Sequence, residues 1–287
     1  MDWITGIAAA IDYVEEHLTE AVDYRQVART AACSETYFQR IFGILCGMSL
    51  GEYIRNRRLT LAGAELAAAG SRVIDVALKY GYESPESFTR AFVRFHGITP
   101  SEARRDGSAL KSFSRLSVKI IVSGGTIMNY RIVEKESFAV LERIETHSSA
   151  REENERSIPE FWTRARKEGT LELLRHSGCS SAPLLGICYG SGEENFAYGI
   201  GIACEGDAAV PKGLRRSLIP GGEWVVFEGT GAMPEAMQTL WHSIFSEFFP
   251  NSLYQPTGVL DVEVYPAGDM DSAGYPFQIW IPVTKKK

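Results

Sequence analysis

The sequence predicts a multidomain protein in which an all-α double helix-turn-helix domain precedes an α+β domain. Two observations carry this prediction. An internal duplication lies in the first hundred or so residues, and each copy has the pattern of two short helices around a turn. Beyond the duplication, short strand-like runs alternate with two helical segments. The chain of 287 residues has the length of two ordinary domains.

The duplicated unit repeats with an offset of 50 residues. Seven positions are identical at that fixed offset, which favours duplication of a structural unit over coincidence. The matched pairs are Ser34 and Ser84, Phe38 and Phe88, Arg40 and Arg90, Phe42 and Phe92, Gly47 and Gly97, Glu52 and Glu102, and Arg55 and Arg105.

Each copy predicts a capped second helix. The serine at position 34 or 84 is a good N-cap because its hydroxyl accepts a hydrogen bond from the first helical turn. The glycine at position 47 or 97 suits the helix end, and the phenylalanines recur at helical spacing and form one apolar face. A connecting helix of about 20 residues between the copies would fix their separation.

The polar face of each second helix is the predicted DNA-reading face, because helix-turn-helix units place such a helix in the major groove. Arginine suits bidentate contact with guanine or phosphate, and glutamine suits adenine. The alternative is a solvated helical face. The candidate contacts are Thr36, Gln39 and Arg40 in the first copy and Glu86, Ser87, Thr89 and Arg90 in the second.

The net negative charge of the chain does not argue against DNA binding, because the charge is unevenly distributed. The formal net charge is −6, but residues 1–119 hold 15 basic and 14 acidic residues, whereas residues 120–287 hold 15 and 22. The acidity therefore belongs to the second half, and local basic groups in the first half remain free to contact phosphates.

The α+β domain is expected to repeat a strand-helix-strand-strand unit, beginning near Phe138 and again near Trp224. Such a pattern predicts an antiparallel sheet with two helices packed on one face. We place the helical domain in residues 1–108, a small and polar linker in residues 109–125, and the α+β domain in residues 126–287.

The helical domain resembles the DNA-binding domain of AraC/XylS-type regulators over about residues 5–106. Ala77, Gly81, Tyr82, Ser84, Phe88, Arg90 and Phe92, followed by Gly97, Pro100 and Arg104, match the family signature. The resemblance implies transcriptional control, with activation as the expected direction, and base contacts at the seven positions given above. This chain departs from the common pattern at Thr36, Pro85 and Glu86, so the preferred DNA sequence stays open.

The second half resembles GyrI-like effector-binding domains through the segments IPGGEWVVFEGTG, DVEVYP and FQIWIPV. The resemblance implies binding of an amphipathic, often cationic small molecule between helices and sheet, as in multidrug sensing; aromatic faces and a carboxylate attract such cations. For each single aromatic residue, core packing is the alternative. The candidate ligand contacts are Phe161, Trp162, Tyr189, Tyr198, Trp224, Trp241, Glu263, Gln278 and Trp280.

Gln278 stands where such domains often carry a glutamate, so a weaker preference for cations is expected, with Glu263 and Glu223 as alternative acids. The sequence holds no common hydrolase, metalloprotease or phosphate-loop motif. We therefore expect no enzyme, cofactor or metal. A hydrolase using a pocket glutamate beside a tyrosine, and a module that sequesters a ligand or protein, are the alternatives.

The expected partners are double-stranded DNA and a small-molecule effector, with RNA polymerase as a further candidate. The N-terminus lacks a basic start and an unbroken apolar core, so neither export nor membrane insertion is expected, and we expect a cytoplasmic protein. Two reading units on one chain are compatible with a monomer, and a homodimer stays open.

Overall fold

The fold is described from a computed structural model of the chain. It describes residues 3–31, 33–68, 71–105, 107–117, 127–148, 151–177, 182–190, 195–204 and 210–286. The chain divides into two compact units, each treated by itself below. The helical unit comprises residues 1–32 and 50–120, and the sheet unit comprises residues 33–49 and 121–287.

The helical unit is built from short helices around one apolar core. Phe88 and Phe92 are fully buried there, together with Leu59 and Val76. Within the described residues its helices are α1 (Trp3–Glu16), α2 (Tyr24–Thr30), α4 (Leu50–Ala67), α5 (Val73–Lys79), α6 (Pro85–His96) and α7 (Pro100–Ala103); the intervening α3 (Glu35–Cys46) belongs to the sheet unit.

Hydrogen bonds hold the chain after α7 against α4. The Phe113 amide donates to the Thr60 hydroxyl at 2.9 Å, and the Leu116 amide donates to the Tyr53 hydroxyl at 3.2 Å. The early part of the predicted linker is therefore attached to the helical unit. The rest of that linker, residues 118–125, lies outside the described residues.

The two copies of the duplication fold alike at their second helices. Both α3 and α6 have 12 residues, and both begin at a serine whose side chain accepts a backbone hydrogen bond three residues on. Both end at a glycine in the left-handed conformation, Gly47 with φ 72° and Gly97 with φ 84°. Only glycine adopts such a φ at little cost, so each helix ends where the sequence predicts.

The sheet unit contains a sheet in which every described strand pair is antiparallel and the spatial order of the strands differs from their order in the chain. Its hydrogen-bonded order is β1-β6-β9-β8-β3-β4-β2-β5, and β7 pairs with β9. The strands are β1 (Tyr130–Lys135), β2 (Phe138–Ser148), β3 (Leu184–Tyr189), β4 (Asn195–Cys204), β5 (Arg215–Ile219), β6 (Gly222–Thr230), β7 (Tyr254–Pro256), β8 (Leu260–Tyr265) and β9 (Pro276–Lys285).

The predicted repeat of strand, helix, strand, strand is confirmed. In the first copy, α8 (Arg151–Lys167) and α9 (Thr170–Ser177) lie between β2 and β3, and β4 follows. In the second, α10 (Glu235–Ser243), a π-helical turn and α11 (Phe249–Asn251) follow β6 and precede β8 and β9. Strands β1, β5 and β7 extend this core arrangement. No helix in the described part of the chain is both long and apolar enough to cross a membrane.

Helix α3 packs within the sheet unit against α10 and the π-helical turn. The ring of Tyr37 meets Phe245 edge to face, with centroids 6.1 Å apart. Sequence patterning gave no sign of this placement, because the periodicity of α3 predicts only that its phenylalanine face is buried.

Candidate ligand cavity and DNA-reading helices

The sheet unit encloses a cavity of about 450 Å³ between its helices and one face of the sheet. Helices α3, α8 and α10 form its walls, and strands β3, β4 and β8 form its floor. Its lining is mostly apolar and aromatic with a few polar groups, the composition typical of sites for drug-sized molecules.

The Glu263 carboxylate accepts hydrogen bonds at the floor of the cavity. The hydroxyls of Tyr198 and Tyr265 donate to its Oε2 atom at 2.9 Å and 3.0 Å, and the Trp241 indole donates to its Oε1 atom at 2.9 Å. A carboxylate bonded this way is fixed in position close to aromatic rings.

Alternation along β8 puts the acid on the cavity side. Asp261, Glu263 and Tyr265 line the cavity, whereas Val262 and Val264 between them are buried in the hydrophobic cluster of the opposite face. Successive side chains of a strand point to opposite faces of the sheet, so the segment DVEVY supplies three polar groups to one surface.

The two tyrosines remain neutral donors over the ordinary pH range. Burial, and then the neighbouring Glu263 carboxylate, raise the pKa of Tyr198 and of Tyr265 well above the usual value. Both effects oppose formation of a phenolate in a poorly solvated site that already holds a negative charge. The tyrosines therefore act as hydrogen-bond donors to the carboxylate.

A glycine makes room for the acid and its tyrosine. Gly186 on β3 pairs with Glu263 on β8. A Cβ atom at position 186 would lie 2.2 Å from the Tyr198 hydroxyl and 3.0 Å from Oε2 of Glu263. Any side chain at this position would displace one of the two groups.

Aromatic side chains form the wall on the α8 side. The Trp162 indole donates to the Tyr198 hydroxyl at 3.2 Å, and its ring meets Tyr265 edge to face with centroids 5.0 Å apart. Edge-to-face contacts of this kind hold rings in one orientation. Trp162 is partly exposed, so part of its surface faces the cavity.

Helix α3 contributes a cation to the cavity. The Arg40 guanidinium forms an ion pair with Asp261 and lies over the Trp241 ring, 4.4 Å from its centroid. Burial disfavours the charge of Arg40, but the negative groups around it, including Asp261 and Glu263, raise its pKa. Burial also raises the pKa of Asp261 to about 6, although Arg40 lowers it.

Two buried polar atoms at this ion pair have no hydrogen-bond partner in the described residues. One is the Oδ1 atom of Asp261 itself, and the other is the hydroxyl of Tyr37. Buried polar groups are normally bonded, and an unpaired one is costly. The cavity wall near α3 therefore offers one donor and one further acceptor to an incoming group.

Five of the nine predicted ligand contacts line the cavity and four do not. The five are Trp162, Tyr189, Tyr198, Trp241 and Glu263. Phe161 instead lies in the core cluster between helices and sheet, and Trp224 is fully buried in the cluster of the opposite face. Both are core residues, the alternative that their sequence pattern left open.

The expectation for Gln278 was wrong for a reason of register. Gln278 pairs with Val264 and Trp280 pairs with Val262, and paired residues of antiparallel strands project from the same face. Both side chains therefore lie on the face opposite to Glu263 and do not line the cavity. The amide at position 278 has no bearing on the charge of this cavity.

The sequence prediction missed Tyr37, Asp261 and Tyr265. The last two were detectable, because the alternation of DVEVYP puts them on the face of Glu263. Tyr37 was not, because its role depends on α3 packing in the sheet unit.

The predicted DNA-reading residues have unequal surroundings. On α6, Glu86 and Arg90 are exposed, whereas Ser87 and Thr89 are partly exposed. The Ser87 hydroxyl also donates to the Ser84 carbonyl at 2.8 Å. On α3, Gln39 and Arg40 line the cavity, and the side chain of Thr36 is outside the described part of the chain.

A duplicated helix-turn-helix domain joined to an aromatic cavity with an acid floor defines a transcription regulator with an effector-binding domain. The model of an integron-associated effector binding protein family matches residues 131–283, and that of a helix-turn-helix domain matches residues 27–106. The chain belongs to this effector-binding family and carries an AraC-type DNA-binding domain, as the sequence resemblances predicted.

Relatives of the DNA-binding domain are themselves regulators. The transcriptional activator AarP of Providencia stuartii is 34% identical over 114 residues, which cover 40% of this chain and 84% of AarP. The regulatory protein SoxS of Salmonella typhimurium is 38% identical over 98 residues, covering 34% of this chain and 92% of SoxS. The chain is thus a DNA-binding transcription regulator.

A solved structure resembles the sheet unit. It is that of SAV2435 bound to tetraphenylphosphonium, with a TM-score of 0.50 and 25% identity. The match covers 55% of this chain and 94% of that chain.

Proposed function

We propose that the chain activates transcription and that its activity responds to an amphipathic organic cation bound in the cavity of the sheet unit. The Glu263 carboxylate, presented by three donors at the floor of an aromatic cavity, carries this proposal. The capture of tetraphenylphosphonium by the related SAV2435 supports the same ligand class.

A cation fits this cavity better than a neutral or anionic molecule. Glu263 supplies a fixed negative charge, and the ring faces of Trp162 and Trp241 attract positive charge through their quadrupoles. The apolar remainder of the lining suits a hydrophobic body around the charge. Hydrophobic area supplies affinity, and the acid selects for charge.

The DNA contacts are proposed at the polar faces of both recognition helices. They comprise Thr36, Gln39, Arg40, Glu86, Ser87, Thr89 and Arg90. Arg90 is the best supported, because it is exposed on α6 with a length and charge suited to guanine or phosphate. Activation of transcription also requires RNA polymerase as a partner. We place both interactions in the cytoplasm.

The function proposed for the cavity is binding without catalysis. Both oxygens of Glu263 accept hydrogen bonds from aromatic side chains, so the carboxylate is engaged in holding its site together. The three bonds occupy most of the roughly four lone-pair sites of the carboxylate and point it at its own neighbours, which suits a structural and binding role better than proton transfer.

The ligand proposal is tested by titrating the full chain with two ions of nearly equal size and opposite charge. Tetraphenylphosphonium is expected to change tryptophan fluorescence and to bind, whereas tetraphenylborate is expected to bind far more weakly. Glu263→Gln should weaken phosphonium binding by about tenfold or more, the loss expected for a charged partner.

Glu247→Gln is the matched control, because it removes an exposed carboxylate of the same unit outside the cavity lining. It should leave phosphonium affinity unchanged. Equal affinity for both ions, or full affinity in Glu263→Gln, contradicts the proposal.

A further inference from the structure

The two halves of the duplication differ in what covers their matched arginines. Arg40 and Arg90 occupy equivalent positions of α3 and α6. Arg90 is exposed, whereas the Arg40 side chain is only 22% exposed and its ion-pair partner Asp261 only 4%. The arginine at this position of the repeat is therefore accessible to solvent in the second copy and paired with Asp261 in the first.

Arg40 has the surroundings that the cavity would offer to a ligand cation. Its guanidinium lies on the face of Trp241, and the indole of Trp241 also donates to Glu263. Asp261 neutralises its charge. Carboxylate and aromatic face together are the features by which proteins recognise organic cations.

The rest of the cavity-facing side of α3 is covered as well. Gln39 is only 8% exposed. Tyr37 is buried against Phe245, and a Cβ atom at Gly258 would lie 3.3 Å from its ring. The side of α3 that packs on the sheet unit is thus the side that carries the predicted base contacts Gln39 and Arg40.

We propose that the cavity holds recognition helix α3 in an inactive position through Arg40, and that an organic cation releases the helix by competing for Trp241 and Asp261. This inference rests on the proposed function and extends it to the regulation of the same site. DNA and cation would each favour the released helix, so each should raise the affinity of the chain for the other.

The helix-holding step is tested without any ligand. Asp261→Asn removes the charge that holds Arg40 but leaves every proposed DNA contact in place. If docked helices outnumber released ones by about ten to one, this variant should bind DNA about tenfold more tightly than the wild-type chain. The readout is fluorescence anisotropy with a duplex selected from a randomised library.

Glu247→Gln again serves as the carboxylate-to-amide control and should bind DNA like the wild type. Unchanged or weaker DNA binding by a folded Asp261→Asn chain overturns the proposal. Circular dichroism melting checks that the variant folds.

The competition step is tested on the wild-type chain, which keeps the result independent of any variant. Amide hydrogen exchange of residues 35–46 is measured with and without saturating tetraphenylphosphonium. Release predicts faster exchange in α3 together with tighter DNA binding. Exchange that slows or stays the same with the probe bound overturns the proposal.

Ligand binding in the cavity and the holding of α3 can be told apart by their failures. If the probe binds in a manner that depends on Glu263 but changes neither α3 exchange nor DNA affinity, the regulatory inference is wrong and the proposed ligand site stands. If the probe does not bind, the proposed ligand class is wrong, and Asp261→Asn alone decides whether the cavity holds α3.

Discussion

The Arg40 guanidinium lies 4.4 Å from the centroid of the Trp241 ring and pairs with the Asp261 carboxylate. A residue expected to read DNA is thereby engaged in the cavity expected to bind a ligand. The Arg40 side chain links DNA binding to ligand binding. This link needs no long pathway through the protein, because Arg40 and a bound cation would compete for the same groups, Trp241 and Asp261.

Arg40→Ala and Arg90→Ala should have unequal effects on DNA binding, although the residues are equivalent in the repeat. Arg90→Ala removes one contact and should weaken binding by about tenfold, with a salt slope smaller by about one. Arg40→Ala also removes a contact, but it releases α3 from the cavity, so its net loss should be smaller. Anisotropy titrations at several salt concentrations measure both.

The control for this asymmetry is the same pair of variants in an Asp261→Asn background. With α3 already released, Arg40→Ala should cost as much as Arg90→Ala. The double-mutant cycle isolates the coupling between Arg40 and Asp261. A coupling of zero, with equal losses in both backgrounds, would show that the cavity does not hold the helix.

Acidification should favour release of α3. Burial raises the pKa of Asp261 to about 6 even while Arg40 lowers it. If Asp261 stays buried on the cavity floor when α3 leaves, only the lowering effect of Arg40 is lost, and the pKa of Asp261 rises further. Release therefore takes up a proton, becomes easier as the pH falls towards about 6, and levels off below that pH, where Asp261 is protonated in both states.

Three of the groups facing Asp261 do not titrate in this range. Arg40 stays charged because its pKa is raised, Tyr37 stays neutral because its pKa is raised well above the usual value, and burial raises the pKa of Cys188 to about 12. Glu263 contributes a second carboxylate that raises the pKa of Asp261.

The pH prediction is checked by measuring DNA affinity from pH 7.5 to 5.5. The wild-type chain should gain affinity relative to Asp261→Asn, which lacks the titrating carboxylate. Parallel pH profiles of the two chains would contradict the assignment.

Local rules explain why most of the fold could be predicted. The serine N-caps, the left-handed Gly47 and Gly97 and the phenylalanine periodicity are properties of a few neighbouring residues, and the duplication repeats each signal. The alternation of DVEVY likewise determines which side chains share a face. Such features depend on backbone sterics and on the period of each element.

Register and long-range packing could not be predicted the same way. A slip of one residue moves a strand's side chains to the opposite face, so the position of Gln278 relative to Glu263 required the actual pairing of β8 with β9. The ion pair between Arg40 and Asp261 joins residues 221 positions apart, and neither residue's neighbours indicate the other.

Gln278→Glu should leave cation affinity unchanged, because position 278 lies on the sheet face opposite to Glu263. The new carboxylate would stand opposite Glu228, its cross-strand partner, so a small loss of stability is expected from the like charges. Phosphonium titration and thermal melting measure the two effects. A gain in cation affinity would show that the charge reaches the cavity after all.

Gly186→Ala should damage the cavity floor without touching α3. The added methyl group would lie 2.2 Å from the Tyr198 hydroxyl and 3.0 Å from Oε2 of Glu263, so the hydrogen bond between them must lengthen or break. Overpacking of this kind costs about 1–3 kcal/mol in the free energy of unfolding. Tetraphenylphosphonium affinity should fall as the carboxylate loses its fixed position.

Gly274→Ala is the matched control, because its nearest neighbour would be 3.8 Å from the new methyl group. It should melt and bind phosphonium like the wild type.

Because Asp261 and Trp241 are unchanged in Gly186→Ala, the ligand-free chain should keep α3 docked, so DNA affinity without ligand should stay at the wild-type level. Full phosphonium affinity in Gly186→Ala would mean that the bonded geometry of Glu263 does not matter for binding, and that hydrophobic area alone selects the ligand.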